Sequence, residues 1–158
     1  MMREQPTVVG GAQQPAGQMT RDEIVAFFDR HQEAYDNLDA GALAAGYADD
    51  CFVESPMGGI HRGRAAVEQV FRKVFEAFLD HKVRPDSLVV DGNRVAQILS
   101  LEGSHIGEFM GLPATGKPFR VPAVFLFELR AGQIVRERRI YDFTGVLVQI
   151  GVLKTKPV

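Results

Sequence analysis

The sequence predicts an α+β domain in which three N-terminal helices pack on one face of a strongly curved antiparallel sheet. Apolar residues follow helical spacing in the first half of the chain, and their spacing changes to two after Pro85. The predicted order is two helices, a strand, a helix and then four strands, which separates the helices from most of the sheet. The 158 residues suit one domain, which we expect to span residues 20–158.

Residues 1–19 are rich in Gly, Gln and Pro and contain no apolar stretch. Such a segment cannot bury enough surface to fold, so we expect a flexible leader without the apolar centre of a signal peptide. The chain has one cysteine, Cys51, which excludes an internal disulfide and favours a cytoplasmic location. Cys51 lies beside two acidic residues at the start of an apolar run, which favours a buried structural role over a nucleophilic one.

Capping signals and apolar spacing predict the helices. Residues 20–23 (T-R-D-E) match a capping box, and the stripe of the first helix then contains Ile24, Phe27, Phe28, His31, Tyr35 and Leu38. Asp39 can cap a short second helix that runs through Leu43 and Tyr47. Gly63 precedes the third helix, whose stripe is the strongest in the chain and contains Val67, Val70, Phe71, Val74, Phe75 and Phe78.

Apolar residues at every second position, bounded by turn residues, predict the strands. Asp49-Asp50 is interpreted as a turn before the first strand, and residues 56–59 end that strand. Asp91-Gly92-Asn93 is a hairpin signal, and residues 131–133 form another turn. A short helix or turn over residues 146–150 closes the domain. The predicted strands cover residues 51–54, 87–90, 94–105, 119–129 and 134–143.

Charge and motif content exclude several classes of function. The formal net charge is −2 and no block of like charge occurs, so we expect neither a nucleic-acid nor a membrane partner. The chain has no metal-binding spacing of His or Cys, no phosphate-binding glycine motif before a helix and no nucleophile elbow. We therefore expect no metal and no cofactor. Cofactor-free proton transfer and binding without chemistry remain, with a small organic molecule as the ligand.

Asp142 is the first candidate for chemistry. It lies near the end of the last predicted strand, between Tyr141 and Phe143, in a segment that is otherwise apolar. Apolar surroundings raise the pKa of a carboxyl group above its ordinary value of about 3.9, towards that of a general base. Alternatively, Asp142 caps a following helix at Thr144-Gly145 or pairs with a nearby arginine.

The histidines are the other candidates. His105 ends a predicted strand, and the glycine two residues later lets the backbone turn sharply. A neutral imidazole there can hold a water, polarise a carbonyl or relay a proton, or it is simply a satisfied polar residue. His31 and Tyr35 lie on the stripe of the first helix and can point into a pocket below it, although Tyr35 also suits the core. His61 and His81 sit at helix ends and are interpreted as solvated.

Two segments resemble a known family. Residues 105–117 are similar to the SnoaL-like pattern H-x-G-E-F-x-G-x-P-x-T-G, and residues 142–151 are similar to its ending D-x-x-G-x-L-x-Q-x-G. Residues 48–56 and 63–67 look like the family's first strand and the start of its third helix. Over residues 20–153 the chain therefore resembles the SnoaL-like polyketide cyclases, a branch of the NTF2-like superfamily that includes the ketosteroid isomerases.

The resemblance implies the NTF2-like cone, with Asp142 as general base and His105 as its active-site partner. The isomerase pattern is broken, because its proton-shuttling aspartate falls on Ser55 and its oxyanion-hole residues fall near His31 and Val124. The R-x-D of limonene-epoxide-hydrolase-like proteins is replaced by His-Ile-Gly, starting at His105. Steroid isomerisation and epoxide hydrolysis by those residue sets are both disfavoured.

Arg138 stands where the family often has a tryptophan, four residues before Asp142 and on the same strand face. If that face lines the pocket, the pocket is less suited to a flat aromatic polyketide. If it is the outer face, Arg138 is solvated.

These observations favour a cofactor-free proton-transfer enzyme that acts on a carbonyl-containing, polyketide-like small molecule. Asp142 removes a proton alpha to the carbonyl, and His105 or a water held by it stabilises or reprotonates the enolate. The enolate then closes a ring by aldol-type addition, or the double bond isomerises. The predicted substrate-binding residues are His31, Tyr35, Phe109, Met110, Leu112, Val124, Leu126 and Arg138.

The alternative is a non-catalytic NTF2-like binding or dimeric interaction module, in which Asp142 and His105 are structural. Both faces of residues 119–129 are apolar: Val124 and Leu126 lie on one, and the other carries Phe119, Val121, Phe125 and Phe127. One face can fill the pocket and the other a subunit interface, so we expect a homodimer or a larger assembly.

Overall fold

Four helices and six strands form the part of the chain that this computed structural model describes, residues 17–156. The helices are α1 (Arg21–Asp36), α2 (Ala40–Ala45), α3 (Arg64–Ala77) and α4 (Phe143–Gln149). The strands are β1 (Tyr47–Ser55), β2 (Gly59–Arg62), β3 (Lys82–Asp91), β4 (Arg94–Ser104), β5 (Pro118–Arg130) and β6 (Gln133–Tyr141). Most of the predicted leader, residues 1–16, lies outside the described residues, whereas Met19 packs against the core.

The first three helices begin where the sequence predicts, whereas α4 begins at Phe143, three residues before the predicted start. The Thr20 side chain accepts from the Glu23 N–H at 3.2 Å, and the Glu23 carboxylate accepts from the Thr20 N–H at 2.7 Å, which completes a capping box. Asp39 caps α2 by accepting from the Ala42 N–H at 2.9 Å. Gly63 precedes α3 with a φ of 84°, a region that favours glycine.

The first strand begins at Tyr47 rather than at Cys51. Tyr47 and Ala48 are buried, and Asp49-Asp50 lies exposed within the strand, so this acidic pair is not a turn and α2 ends before Tyr47. β2 is not predicted, because its residues are largely exposed and show no apolar alternation. Cys51 is buried, and burial raises the pKa of its thiol, as expected for a structural residue.

The strands form one open, curved sheet in the order β2-β1-β6-β5-β4-β3. Neighbouring strands are antiparallel except β1 and β6, which run parallel with Val53 opposite Glu137. The antiparallel prediction is wrong at this pair, because the chain crosses the sheet through β3, β4 and β5 before β6 returns beside β1. The α+β class with a curved sheet is confirmed.

The two faces of the sheet differ in burial. Along β5, odd-numbered residues are buried and even-numbered residues face outwards. α1 lies against β3, α3 against β1 and β2, and α4 against β5, so the core and any enclosed space lie on the odd-numbered face of β5. Within residues 17–156, no helix has the length and apolar character needed to span a membrane.

Candidate active site

A cavity of about 70 Å³, here called the inner cavity, lies on the core side of the sheet. Its wall carries four polar side chains, Tyr35, His81, Arg139 and Tyr141. Pockets for drug-sized ligands have volumes of roughly 300–1,000 Å³, so a ligand of that size enters only if wall side chains move. The other wall residues are apolar: Met57, Phe71, Val74, Phe75, Phe78, Leu101, Phe109, Phe119, Phe125, Phe143 and Val146.

A wider groove of about 560 Å³, here called the outer groove, opens beside the inner cavity. Met57 and Phe109 belong to the walls of both spaces, so these two side chains form the partition between them. The remaining groove wall is more polar and includes His61, Lys73 and Glu76.

A buried ion pair lies on the inner face of β6. Glu137 is fully buried and the Arg139 side chain is 8% exposed. Nε and Nη2 of Arg139 donate to the Glu137 carboxylate at 2.8 and 3.2 Å, and the Tyr47 hydroxyl donates to the same carboxylate at 2.5 Å. Burial opposes the charge of Arg139, but Glu137 raises the pKa of the guanidinium well above its ordinary range. Burial and the Glu137 carboxylate likewise raise the pKa of the Tyr47 hydroxyl, which therefore remains a donor.

Tyr35 and His81 stack beside the inner cavity, with ring centroids 6.4 Å apart. Burial raises the pKa of Tyr35 and lowers the pKa of His81 to about 4, so both side chains are neutral at pH 7. The prediction that His81 is solvated is wrong, because the chain folds back after α3 and places the ring between Tyr35 and Phe75. Nδ1 of His81 is buried and has no hydrogen-bond partner among residues 17–156.

His105 is fully buried beneath the segment that follows β4. The Thr115 hydroxyl donates its proton to the Ile150 carbonyl at 2.6 Å, so His105 Nδ1, 3.2 Å from that hydroxyl oxygen, is the donor. This contact is shorter than the 3.4 Å approach of the Thr115 N–H to the same nitrogen, which would require the other tautomer. Nε2 then carries a lone pair without a partner in the described part of the chain. The ring contacts Phe78 and Phe109, which line the inner cavity, but His105 is not itself on the wall.

Asp142 is exposed and caps α4, where its Oδ1 accepts from the Gly145 N–H at 2.8 Å. This position differs from the apolar surroundings that the sequence predicts and agrees with the helix-cap alternative. Tyr141 and Phe143, the residues before and after Asp142 in the chain, line the inner cavity, but Asp142 itself is not part of the cavity wall. Asp142 and His105 do not share the wall, and Phe109 and Phe143, with ring centroids 6.4 Å apart, link their surroundings.

The other predicted binding residues divide between the two spaces. Tyr35 and Phe109 line the inner cavity, and Met110 lines the outer groove. Leu112 pairs with Phe109 through backbone hydrogen bonds and so fixes the backbone of Phe109. His31 is buried in an aromatic cluster away from both spaces, and burial lowers its pKa to about 4. That cluster consists of Phe27, Phe28, Tyr35, Tyr47 and Phe127.

Val124, Leu126 and Arg138 lie on the outer face of the sheet, which corrects their predicted place on the pocket wall. Leu126 is opposite Arg138 across β5 and β6, and Nε of Arg138 lies 3.7 Å from the Glu54 carboxylate, exposed to solvent. The reason is the phase of the alternation, because the odd-numbered residues of β5 and residues 137, 139 and 141 of β6 face the core.

The same phase places Glu137 and Arg139 inside, and neither residue is identified from the sequence. Phe127 is opposite Glu137 and Phe125 is opposite Arg139, so these four residues share one face of the sheet. Because the two phenylalanines fill the core, the two charged side chains are buried with them. Asp, Glu, Lys and Arg are almost never fully buried unless paired, and this pair satisfies that condition on its own strand. Within residues 17–156, no three His, Cys, Asp or Glu side chains come together as a metal site.

Comparison with known proteins identifies the family. The family model for SnoaL-like polyketide cyclases matches residues 25–150. Nogalonic acid methyl ester cyclase of Streptomyces nogalater is 33% identical over 95 residues, which cover 59% of this chain and 70% of that protein. The solved structure of TsrD from Streptomyces laurentii has a TM-score of 0.75 at 22% identity, covering 85% of this chain and 99% of that chain.

A protein of Catenulispora acidiphila with a ketosteroid isomerase-like fold, solved with trimethylamine, has a TM-score of 0.69 at 20% identity. The match covers 79% of this chain and 92% of that chain. At these identities the two solved structures show a shared fold, and the family is shown by the match over residues 25–150 together with the curated relative. The chain belongs to the SnoaL-like polyketide cyclase family.

Proposed function

We propose that this protein is a cofactor-free cyclase or isomerase that transfers a proton within a carbonyl-containing, polyketide-like molecule, with Asp142 as the general base. Family membership and the relationship to nogalonic acid methyl ester cyclase support a cyclase role. The observation that carries the proposal is the geometry of Asp142. Its Oδ1 is anchored by the Gly145 N–H, and the residues before and after it in the chain, Tyr141 and Phe143, line the inner cavity.

In this mechanism Oδ2 of Asp142 removes a proton from the carbon next to a carbonyl group, and the electron pair moves onto the carbonyl oxygen as an enolate. The enolate carbon attacks a second carbonyl of the same molecule, which forms the ring bond and leaves an alkoxide. The alkoxide takes the proton back from Asp142, so the carboxylate is regenerated. In the isomerisation variant the proton returns to a different carbon.

His105 has a supporting role in this proposal. Its Nδ1 is engaged with Thr115, and its Nε2 lone pair has no partner among residues 17–156. A water on Nε2 would stand behind Phe78 and Phe109, from where it could pass the proton held by Asp142 on to the alkoxide. His105→Ala should therefore lower the rate less than loss of Asp142, by a factor towards the low end of roughly 10²–10⁴.

The two spaces bear on the size of the substrate. The inner cavity measures about 70 Å³ and the adjoining outer groove about 560 Å³. We infer that a polyketide-like substrate displaces Phe109 and Met57 and occupies both spaces, because the inner cavity alone is far smaller than a pocket for such a ligand.

The test is Asp142→Asn, with nogalonic acid methyl ester as substrate. Ring closure, and exchange of the alpha proton in deuterium oxide, should fall by roughly 10²–10⁴-fold, because the amide keeps the helix cap but cannot take the proton. Asp39→Asn is the matched control, since Asp39 caps α2 through the same type of bond to Ala42 and is remote from Asp142. Full activity in Asp142→Asn would reject Asp142 as the base, whereas wild-type protein that binds the ester without ring closure or alpha-proton exchange would leave the non-catalytic binding module.

We also propose that the outer face of the sheet forms a homodimer. Ile98, Val124 and Ile140 are neighbours on three adjacent strands, and Ile98 and Ile140 are 41% and 49% exposed. Acidic and basic side chains alternate around them, as in the Arg138–Glu54 pair, so two copies can place opposite charges together. An apolar patch with a polar rim is typical of an interface.

Light scattering should therefore give about twice the chain mass of 17.4 kDa. Val124→Lys should shift the protein to the monomer, whereas Leu79→Lys, an exposed position outside the sheet, should not. A wild-type mass of one chain would reject the dimer.

A further inference from the structure

We propose that Arg139 forms an oxyanion site in the inner cavity, which binds a conjugated organic anion, an enolate or a phenolate, through its oxygen. The inference deepens the proposed function, because it names the group that would hold the enolate oxygen while Asp142 removes the proton. It rests on that function only for the location of the site, and its test measures binding rather than turnover.

The first argument is the number of donors on Arg139. A guanidinium group has five N–H donors, and the hydrogen bonds to Glu137 use one on Nε and one on Nη2. No side chain or carbonyl among residues 17–156 accepts from the others, and Arg139 lies on the wall of the inner cavity. A buried cation with unused donors beside a cavity is complementary to an oxygen that carries negative charge.

The second argument is that the guanidinium is held rigidly. It lies over the rings of Phe71 and Phe125, at 5.1 and 5.5 Å from their centroids, so the plane of the fork is fixed. Glu137 is in turn fixed by the hydroxyl of Tyr47. Donors that are oriented before the reaction stabilise a developing charge without reorganisation.

The third argument is the direction of the ion pair. Glu137 is fully buried and is not part of the cavity wall, whereas Arg139 is. The pair therefore acts as a fixed dipole with its positive end at the cavity. Glu137 offsets most of the positive charge of Arg139, so we expect the site to prefer an anion only moderately. The affinity should depend strongly on where the anionic oxygen lies.

The neighbouring groups support an anion rather than a cation. Tyr35 and Tyr141 present hydroxyl groups to the cavity, burial raises the pKa of Tyr35, and His81 is neutral because burial lowers its pKa to about 4. Among the described residues 17–156, no carboxylate lines the inner cavity. The aromatic wall suits a flat, conjugated body attached to the anionic oxygen.

The test uses para-nitrophenol, whose phenolate has its own visible absorbance. Bound to the wild-type protein, the phenol should ionise at a pH about one unit lower than in water, which corresponds to a roughly tenfold preference for the phenolate. Arg139→Lys should weaken this preference, because the ammonium group lacks the planar fork.

Loss of Arg139 alone would leave Glu137 as an unpaired buried charge, so the decisive variant is the double change Glu137→Gln with Arg139→Met. This variant removes both charges, keeps an acceptor for Tyr47 and should lose the phenolate preference. Arg138→Met is the matched control, because Arg138 is adjacent in the chain but lies on the outer face and should leave the preference unchanged.

Two outcomes would overturn the inference: no binding of para-nitrophenol to the wild type at millimolar concentration, or an unchanged phenolate preference in the double variant. Asp142→Asn separates this result from the proposed function. It should bind the phenolate at least as well as the wild type, because it removes a nearby negative charge, while it loses turnover. Full turnover in Asp142→Asn together with an Arg139-dependent phenolate site would reject the base and retain the oxyanion site.

Discussion

At the scale of single residues, the spacing Asp142-x-x-Gly145 has a steric reason. A Cβ built on Gly145 would lie 2.4 Å from Oδ2 of Asp142, which is closer than real contacts allow. The backbone of Gly145 does not have a positive φ, so its glycine is required by this close approach and not by the conformation of the chain. The glycine therefore permits this orientation of the Asp142 carboxylate, in which Oδ2 lies against Gly145.

Gly145→Ala should lower cyclase activity by roughly 10²-fold, because even a 1 Å displacement of a catalytic group can have that effect. The fold should survive with a change in unfolding free energy within about 1 kcal/mol, since the cap bond can persist with alanine at this position. The corresponding bond in α2 runs from Ala42 to Asp39 and shows that arrangement. Ring-closure kinetics and thermal unfolding of the same preparation provide the measurement.

Gly41→Ala is the matched control. Gly41 lies in the first turn of α2, and its added Cβ would be 3.5 Å from the Asp39 carboxylate, an ordinary contact. Activity should be unchanged, and stability should rise by roughly 0.5–1 kcal/mol because alanine favours a helix. Equal activity in Gly145→Ala and wild type would contradict a role for the Asp142 orientation.

At the scale of elements, the segment between β4 and β5 is tied to the ends of two helices. The N–H groups of Ile106 and Gly107 donate to the Ala77 carbonyl at 3.0 and 2.9 Å, at the end of α3. Thr115 donates to Ile150, just after α4. These bonds place Phe109 between the inner cavity and the outer groove, so the segment decides how the two spaces communicate.

Gly107→Ala should destabilise the protein by more than about 2 kcal/mol, since its Cβ would lie 2.2 Å from the backbone carbonyl oxygen of Glu76. The glycine is therefore required by contact with α3, and its φ is not positive, in contrast to the sharp turn expected from the sequence. Chemical denaturation measures the effect. Ile106→Ala, at a 48% exposed position next to it, should cost less than about 1 kcal/mol, and similar losses in the two variants would refute the steric argument.

At the scale of the whole molecule, two buried histidines make stability depend on pH. Burial lowers the pKa of both His31 and His81 from 6.5 to about 4 in the folded state. Above pH 6.5 the two histidine rings are neutral in both the folded and the unfolded chain. The free energy of unfolding is then not reduced by their protonation. Between pH 6.5 and 4 the unfolded chain binds protons that the folded chain does not, so stability falls as the pH falls.

The loss should approach about 3 kcal/mol for each ring by pH 4, measured by denaturation at a series of pH values. His31→Phe keeps the aromatic packing and removes the titrating group, so it should abolish about half of the decline. His61→Gln, on the wall of the outer groove, should leave the decline unchanged. A free energy of unfolding that stays constant from pH 6.5 to 4 would show that the two rings are accessible to protons.

The sequence by itself determined the class of the fold, the starts of the first three helices and the family. Capping residues, helical stripes and spacing of two are local properties, and the motif beginning at His105 is contiguous in the chain. For these reasons the element order, the α+β class and the SnoaL-like resemblance could all be predicted, apart from β2 and the early start of β1 at Tyr47.

Only the tertiary structure decided which strand face is the inner one. Alternation separates two faces of β5 and β6 but does not say which one meets the helices, because both faces of β5 carry apolar residues. Long-range pairing settles this point, since the parallel contact of β1 with β6 and the register of β5 place Glu137 and Arg139 inside and Arg138 outside. The burial of His81 is likewise a tertiary effect, because its neighbours Tyr35 and Phe75 come from two different helices. The polar groups of the inner cavity therefore follow from contacts between distant segments, which no local pattern in the chain records.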